Sequence, residues 1–69
     1  MDTKTVNVPG ISCGHCVMTI ERGVSELEGV TSVKAERETR NVTVSWDSQA
    51  IDWPAIENRM REINYPPAG

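Results

Sequence analysis

Three short stretches of the chain alternate between polar and apolar residues, which is the pattern of a half-buried β-strand. The clearest is the third, where Val42, Val44 and Trp46 share one face and hydroxyl residues occupy the other. The stretches are Lys4–Val8, Val30–Glu38 and Val42–Trp46. We predict three strands, with a hairpin turn at Thr39–Asn41 between the second and the third.

Two other stretches have apolar residues three and four positions apart, which is typical of a helix with one buried face. The first helix is predicted to begin at Cys16 and to stop at Gly29. In the second, Asp52 is a candidate N-cap, Pro54 fits the first turn, and Asn64 suits the left-handed conformation that ends a helix. The apolar stripes are Val17, Ile20, Val24 and Leu27 in the first helix, and Ile56, Met60 and Ile63 in the second.

The predicted order is strand, helix, strand, strand, helix, with room for one more short strand. This is the split βαβ arrangement, in which two helices pack on one face of an antiparallel sheet. Tyr65 is followed by Pro66 and Pro67, and proline cannot donate to a strand ladder. We therefore predict an α+β domain over residues 1–69 whose last strand is short or absent.

The length and the net charge of the chain disfavour some classes of function before any motif is considered. A chain of 69 residues buries a modest core and has no room for an enclosed active site, so we do not expect an enzyme. The formal net charge of -3 disfavours nucleic acid as a partner. The N-terminal residues lack the pattern of a signal peptide, and no apolar run is long enough to insert into a membrane. We expect a cytoplasmic protein.

The chemistry-bearing residues are concentrated in residues 13–16, with the sequence Cys-Gly-His-Cys, which hold both cysteines and the single histidine. Free N–H groups at a helix N-terminus stabilise a thiolate, which is the form of cysteine that binds metals. Zinc prefers four ligands, and the chain offers only Cys13, Cys16 and His15. Copper(I) is soft and accepts few thiolates, so two sulfurs suit it. The spacing therefore favours a carrier of a soft metal ion.

The run from Gly10 to Cys16, Gly-Ile-Ser-Cys-Gly-His-Cys, follows a strand and opens a helix. In a chain of this size it resembles the heavy-metal-associated domain family, most of all its small bacterial copper chaperones. Gly29-Val30 and Tyr65 are further matches, so the resemblance covers essentially the whole chain. It implies a ferredoxin-like βαββαβ fold and a copper(I) ion bound by Cys13 and Cys16. It also implies transfer to the matching domain of a copper-transporting P-type ATPase, and in many members to a copper-responsive regulator.

Two residues depart from the family pattern near the site. Ile11 stands where the family usually has Met, and we expect it to keep the packing role beneath the loop. Asn64 stands where Gly is frequent, and asparagine tolerates the left-handed conformation next best. We expect both local conformations to survive the change.

Three residues are candidates for auxiliary roles around the two cysteines. The resemblance implies that Tyr65 lies in the loop beside the site, where its hydroxyl could shield the metal or hydrogen-bond near a sulfur, or its ring could simply fill the core. His15 could be a solvated side chain that tunes the thiols, a direct ligand, or a ligand only in a metal-bridged homodimer. Ser12, just before the first cysteine, is the third candidate.

Other functions remain open at the level of sequence. A Cys-Gly-His-Cys motif also occurs in thiol-disulfide oxidoreductases, but the strand order differs from theirs and Ser12 replaces their usual aromatic. A mercury, zinc or cadmium carrier of the same fold would use the same two sulfurs. The chain could also be an excised metal-binding domain of a copper ATPase rather than a free chaperone.

Overall fold

The protein folds into three strands and two helices, as seen in a computed structural model that describes residues 1–68. The strands are β1 (Asp2–Asn7), β2 (Val30–Ala35) and β3 (Asn41–Trp46), and the helices are α1 (Gly14–Ser25) and α2 (Trp53–Glu62). The predicted α+β class is confirmed. Gly69, the last residue of the predicted tail, lies outside the described residues.

The strands form one antiparallel sheet in the order β1-β3-β2. Val42 in the central strand β3 lies opposite Val6 of β1 and Ala35 of β2. On the outer face, the Thr5 and Thr43 hydroxyls hydrogen-bond across the sheet at 3.0 Å. One face is therefore apolar and the other hydroxyl-lined, as the alternation predicts.

Both helices contribute their apolar stripes to a single core against the sheet. Ile20 and Val24 of α1, and Ile56 and Met60 of α2, are fully buried together with Val42 and Val44 of β3. Helix α1 is also tied to the sheet, because Glu21 Oε2 accepts a hydrogen bond from the Ala35 N–H at 3.1 Å. No helix within residues 1–68 is both long and apolar enough to cross a membrane.

The last predicted strand is absent from the described residues. Residues 65–68 form no strand. One backbone hydrogen bond, from the Ala68 N–H to the Asn7 carbonyl at 2.7 Å, joins this segment to the edge of β1. Because Pro66 and Pro67 lack an N–H, the segment cannot extend that ladder. The prediction that the last strand is short or absent is confirmed.

Helix α1 begins two residues before the predicted Cys16 and ends at Ser25, one turn before the predicted stop. A tight turn follows the helix, in which the Leu27 N–H donates a hydrogen bond to the Val24 carbonyl at 3.1 Å. Gly29 follows with a φ of 99°, a conformation that glycine adopts without strain. Gly29 therefore lies in the turn just before β2, and it does not end the helix, which has already ended at Ser25.

Strand β2 also ends early, at Ala35 rather than at the predicted Glu38. The Glu36 N–H bonds to the Asn41 carbonyl at 2.8 Å, which closes the hairpin on the β2 side. Arg40 turns the chain with a φ of 61°. The connection between β2 and β3 is therefore longer than the predicted turn at Thr39–Asn41.

Helix α2 has both predicted end signals. Asp52 Oδ1 accepts from the Ala55 N–H at 3.4 Å, and Pro54 lies in the first turn. At the other end Asn64 has a φ of 69°, and the Tyr65 N–H bonds back to the Met60 carbonyl at 2.8 Å. This ending fixes the direction in which Tyr65 leaves the helix.

Candidate metal centre

A tight turn carries the chain from β1 to α1 across one end of the sheet. The Val8 N–H donates to the Arg40 carbonyl at 2.7 Å, and the Ile11 N–H donates to the Val8 carbonyl at 3.1 Å. The Ile11 side chain is fully buried beneath the loop. The expectation that Ile11 takes the packing role is confirmed, and the loop above it is anchored.

The two cysteines lie at the N-terminus of α1. Cys13 is the N-cap residue, with an extended backbone, and its carbonyl accepts from the Cys16 N–H at 3.1 Å. The two Sγ atoms are 3.5 Å apart. Cys13 is exposed, whereas Cys16 is buried with 8% of its surface accessible. The loop thus brings both sulfurs to one place, with only the first facing solvent.

Several donors converge on the sulfur of Cys16. The hydroxyl of Tyr65 makes the strongest contribution, followed by the backbone N–H of Ser12 and the Cys13 thiol. Ser12 Oγ also lies 3.8 Å from this sulfur. Because these groups stabilise the thiolate more than burial destabilises it, they lower the pKa of Cys16 from 9.0 to about 6.

The turn at the end of α2 brings Tyr65 towards the loop that carries this sulfur. Asn64 turns the chain out of the helix, and the ring of Tyr65 then lies over Gly10, where a Cβ would be 3.5 Å from Tyr65 Cδ1. The hydrogen bond to Cys16, together with burial, raises the pKa of the Tyr65 hydroxyl. The structure brings Tyr65 and Ser12 to the dithiol, and Gly10 is the contact that sequence reasoning missed.

His15 occupies a different position from these groups. It is exposed in the first turn of α1 and lines a groove of about 290 Å³ between α1 and the end of α2, with Met18 and Ile63. The two sulfurs contact each other, Ser12 Oγ contacts Cys16, and the Tyr65 hydroxyl lowers the pKa of Cys16. Within residues 1–68 no three His, Cys, Asp or Glu side chains gather into a metal site. The candidate metal ligands among the described residues are therefore the two sulfurs, of Cys13 and Cys16.

This arrangement suits a soft metal ion bound by few ligands. Two adjacent thiols at a helix N-terminus offer two sulfur donors, and the lowered pKa of Cys16 favours its thiolate, the form that binds metals. Closed zinc sites need four ligands, and the described residues supply no such set here. The exposed side of Cys13 leaves the site open to a third ligand from outside the chain.

An open dithiol at the start of a helix, on a small α+β sandwich, defines a class of metal-binding domain. The chain belongs to the heavy-metal-associated domain family, whose model matches residues 5–66.

Proteins similar to this chain handle copper or mercury, according to their names. The copper chaperone CopZ of Bacillus subtilis is 37% identical over 65 residues, which is 94% of each chain. The periplasmic component of mercuric transport from Pseudomonas aeruginosa is 33% identical, over 93% of this chain and 70% of that protein. A probable copper-exporting P-type ATPase of Archaeoglobus fulgidus is 34% identical over 90% of this chain, which corresponds to 8% of the ATPase.

Solved structures agree with the fold. A CopZ metallochaperone superposes with a TM-score of 0.91 at 27% identity, over 97% of this chain and all of that one. The ferredoxin-like architecture and the resemblance to small bacterial copper chaperones are thereby confirmed.

Proposed function

We propose that this protein is a copper(I) chaperone that binds one ion between Cys13 and Cys16 and delivers it to a copper-transporting P-type ATPase. The observation that carries the proposal is the pair of sulfurs 3.5 Å apart on an anchored loop, with one sulfur exposed. The similarity to copper chaperones supports copper as the cargo.

Transfer proceeds by ligand exchange without chemical turnover. A cysteine thiolate of the partner attacks the bound ion from the exposed side and forms a third copper–sulfur bond. The bonds to Cys13 and Cys16 then break one after the other, and the freed thiolates regain protons from solvent according to their pKa values. Copper stays in the +1 state throughout, so no oxidant or reductant is consumed.

Three neighbouring residues have supporting roles in this proposal. Ser12 and Tyr65 hold the Cys16 thiolate by hydrogen bonds, so they keep one ligand in place before the ion arrives. His15 is a solvated side chain that tunes the site and becomes a ligand only in a metal-bridged homodimer. Its exposed place in the first turn of α1 supports a role outside the monomer's own ligand pair.

The partner in this proposal is a metal-binding domain of a copper ATPase. Support comes from the 34% identity to part of a probable copper-exporting ATPase, since two similar domains can share one ion through matching dithiols. A copper-responsive regulator is a further recipient. We place the protein in the cytoplasm, because both thiols are unpaired and a reducing compartment keeps such thiols ready for metal.

Copper binding is tested by titrating the reduced protein with copper(I) in competition with a chromogenic chelator. We expect one ion per chain, and loss of binding in the Cys13→Ser, Cys16→Ser double variant. Ser25→Ala, at an exposed position of α1 away from the loop, is the control. Wild-type protein that fails to hold copper against the chelator would overturn the proposal.

Delivery is tested by mixing copper-loaded protein with an ATPase metal-binding domain. The expected result is transfer to the domain faster than release of copper into a chelator at the same concentration. Equal rates would mean that the ion passes through solution, which would contradict ligand exchange.

A mercury carrier is the second candidate, because the periplasmic mercuric transport protein is 33% identical. Two thiolates also bind mercury(II). Deleting the gene distinguishes the two: increased sensitivity to copper alone supports the copper chaperone, whereas altered response to mercury alone supports the mercury carrier.

A further inference from the structure

Gly23 lies on α1 nearly three turns after Cys13 and faces the end of α2. It is buried, and a Cβ at this position would lie 3.1 Å from Cδ1 and 3.2 Å from Cγ2 of Ile63. Both distances are shorter than ordinary contacts between carbon atoms. The absence of a side chain at Gly23 therefore allows the Ile63 side chain to pack directly against the backbone of α1.

Ile63 has little freedom to withdraw from a larger residue. The two atoms that meet Gly23 belong to different branches of the side chain, and β-branched residues have few accessible χ1 rotamers. Its backbone is also held, because the Ile63 N–H bonds to the Arg59 carbonyl at 3.1 Å. A Cβ at Gly23 would consequently push Ile63, and with it the backbone at the end of α2, by a few tenths of an ångström.

The last turn of α2 sets the place of Tyr65. Ile63 is the C-cap residue, Asn64 follows with a φ of 69°, and the Tyr65 N–H bonds to the Met60 carbonyl at 2.8 Å. Only Asn64 separates Ile63 from Tyr65, whose ring lies over Gly10. A shift at Ile63 therefore reaches the ring that packs over Gly10, in the loop that leads to Cys13 and Cys16.

We infer that Gly23 is a positioning residue of the metal site, since the space that it leaves for Ile63 fixes the end of α2 from which Tyr65 reaches the loop at Gly10. The inference rests on the proposed role of Tyr65 beside the copper ligands. Gly23 touches neither the ligands nor the ion, and it acts through Ile63 and the turn at Asn64.

The test compares Gly23→Ala with wild type in the full chain without metal. We expect weaker NMR cross-relaxation peaks between the Tyr65 ring and the Gly10 Hα atoms. We also expect about tenfold weaker copper(I) binding, the lower end of the effect seen when residues that orient metal ligands are changed. Ser25→Ala adds an alanine to the same helix at an exposed position, so it controls for a general change in α1.

Rescue distinguishes positioning from general damage to the fold. Ile63→Val removes Cδ1, the nearer of the two atoms, so Gly23→Ala with Ile63→Val is expected to regain part of both signals. Where Gly23→Ala alone does not fold, this double variant is compared with Ile63→Val, and weaker Tyr65–Gly10 peaks are expected in the double variant. Unchanged Tyr65–Gly10 peaks in the folded variant overturn the inference. A failure of the proposed function is recognised separately, because wild-type protein itself would then not bind copper.

Discussion

At the scale of single residues, the site is an asymmetric pair of sulfurs. Cys13 is exposed, whereas Cys16 is buried beside Tyr65 and Ser12. A sulfur that already accepts hydrogen bonds needs less reorganisation when it becomes a metal ligand. The local sequence places both sulfurs at the start of a helix, but the asymmetry between them depends on Tyr65, which is distant in the chain.

The hydrogen bond from Tyr65 predicts how Cys16 ionises. The Cβ chemical shift of Cys16, followed by NMR across pH in the metal-free protein, is expected to titrate with a midpoint of about 6. Tyr65→Phe retains the ring over Gly10 but removes the strongest donor, so its midpoint is expected to lie higher. A wild-type midpoint near that of an ordinary thiol, or an unchanged midpoint in Tyr65→Phe, would contradict this assignment.

At the scale of elements, periodicity predicted which segments form helices and strands better than it predicted their ends. The stripe around Ile20 and the alternation around Val44 follow from burial on one face, which sequence records directly. The end of α1 at Ser25 depends on a tight turn before Gly29, which the apolar stripe does not reveal because Leu27 still packs on the core. Local patterns did not place Tyr65 beside the cysteines either. The family resemblance did, and the structure adds the turn at Asn64 that carries the ring of Tyr65 to Gly10.

The connection between α1 and β2 depends on glycine at position 29. Gly29 has a φ of 99°, and a Cβ there would lie 2.8 Å from Ile51 Cγ2 and 2.9 Å from the Ala50 Cβ. Gly29→Ala is therefore expected to lower the free energy of unfolding by about 2–4 kcal/mol, from backbone strain and crowding together.

Urea denaturation monitored by tryptophan fluorescence measures this effect, because Trp46 is buried against the core. Gly14→Ala is the matched control, since a Cβ at Gly14 would meet nothing within 4 Å. Equal losses of stability in the two variants would show that Gly29 has no special conformational role.

At the scale of the whole molecule, the small fold and the open site are consistent with one another. A chain of 69 residues builds one core between two helices and a three-stranded sheet, and the loop that carries Cys13 and Cys16 lies at the edge of that core. Within residues 1–68 the two sulfurs have no third His, Cys, Asp or Glu beside them, and Cys13 is exposed, so an ion held there would be open on one side. For the proposed carrier this openness is useful, because the partner's thiolate must reach the ion while Cys13 and Cys16 still hold it.

The same thiolate couples the site to the stability of the metal-free protein. The pKa of Cys16 is about 6 in the folded chain and 9.0 in its unperturbed state, so between these values the unfolded chain binds more protons. The free energy of unfolding should therefore rise as pH increases from 6 to 9, and the contribution should be lost as pH falls through 6. Urea midpoints of reduced wild-type protein and of Cys16→Ser over this range measure the effect. Tyr65, whose pKa Cys16 raises, titrates mainly above this range, so the difference between the two slopes reports on Cys16. Parallel slopes would show that the folded state does not stabilise its thiolate.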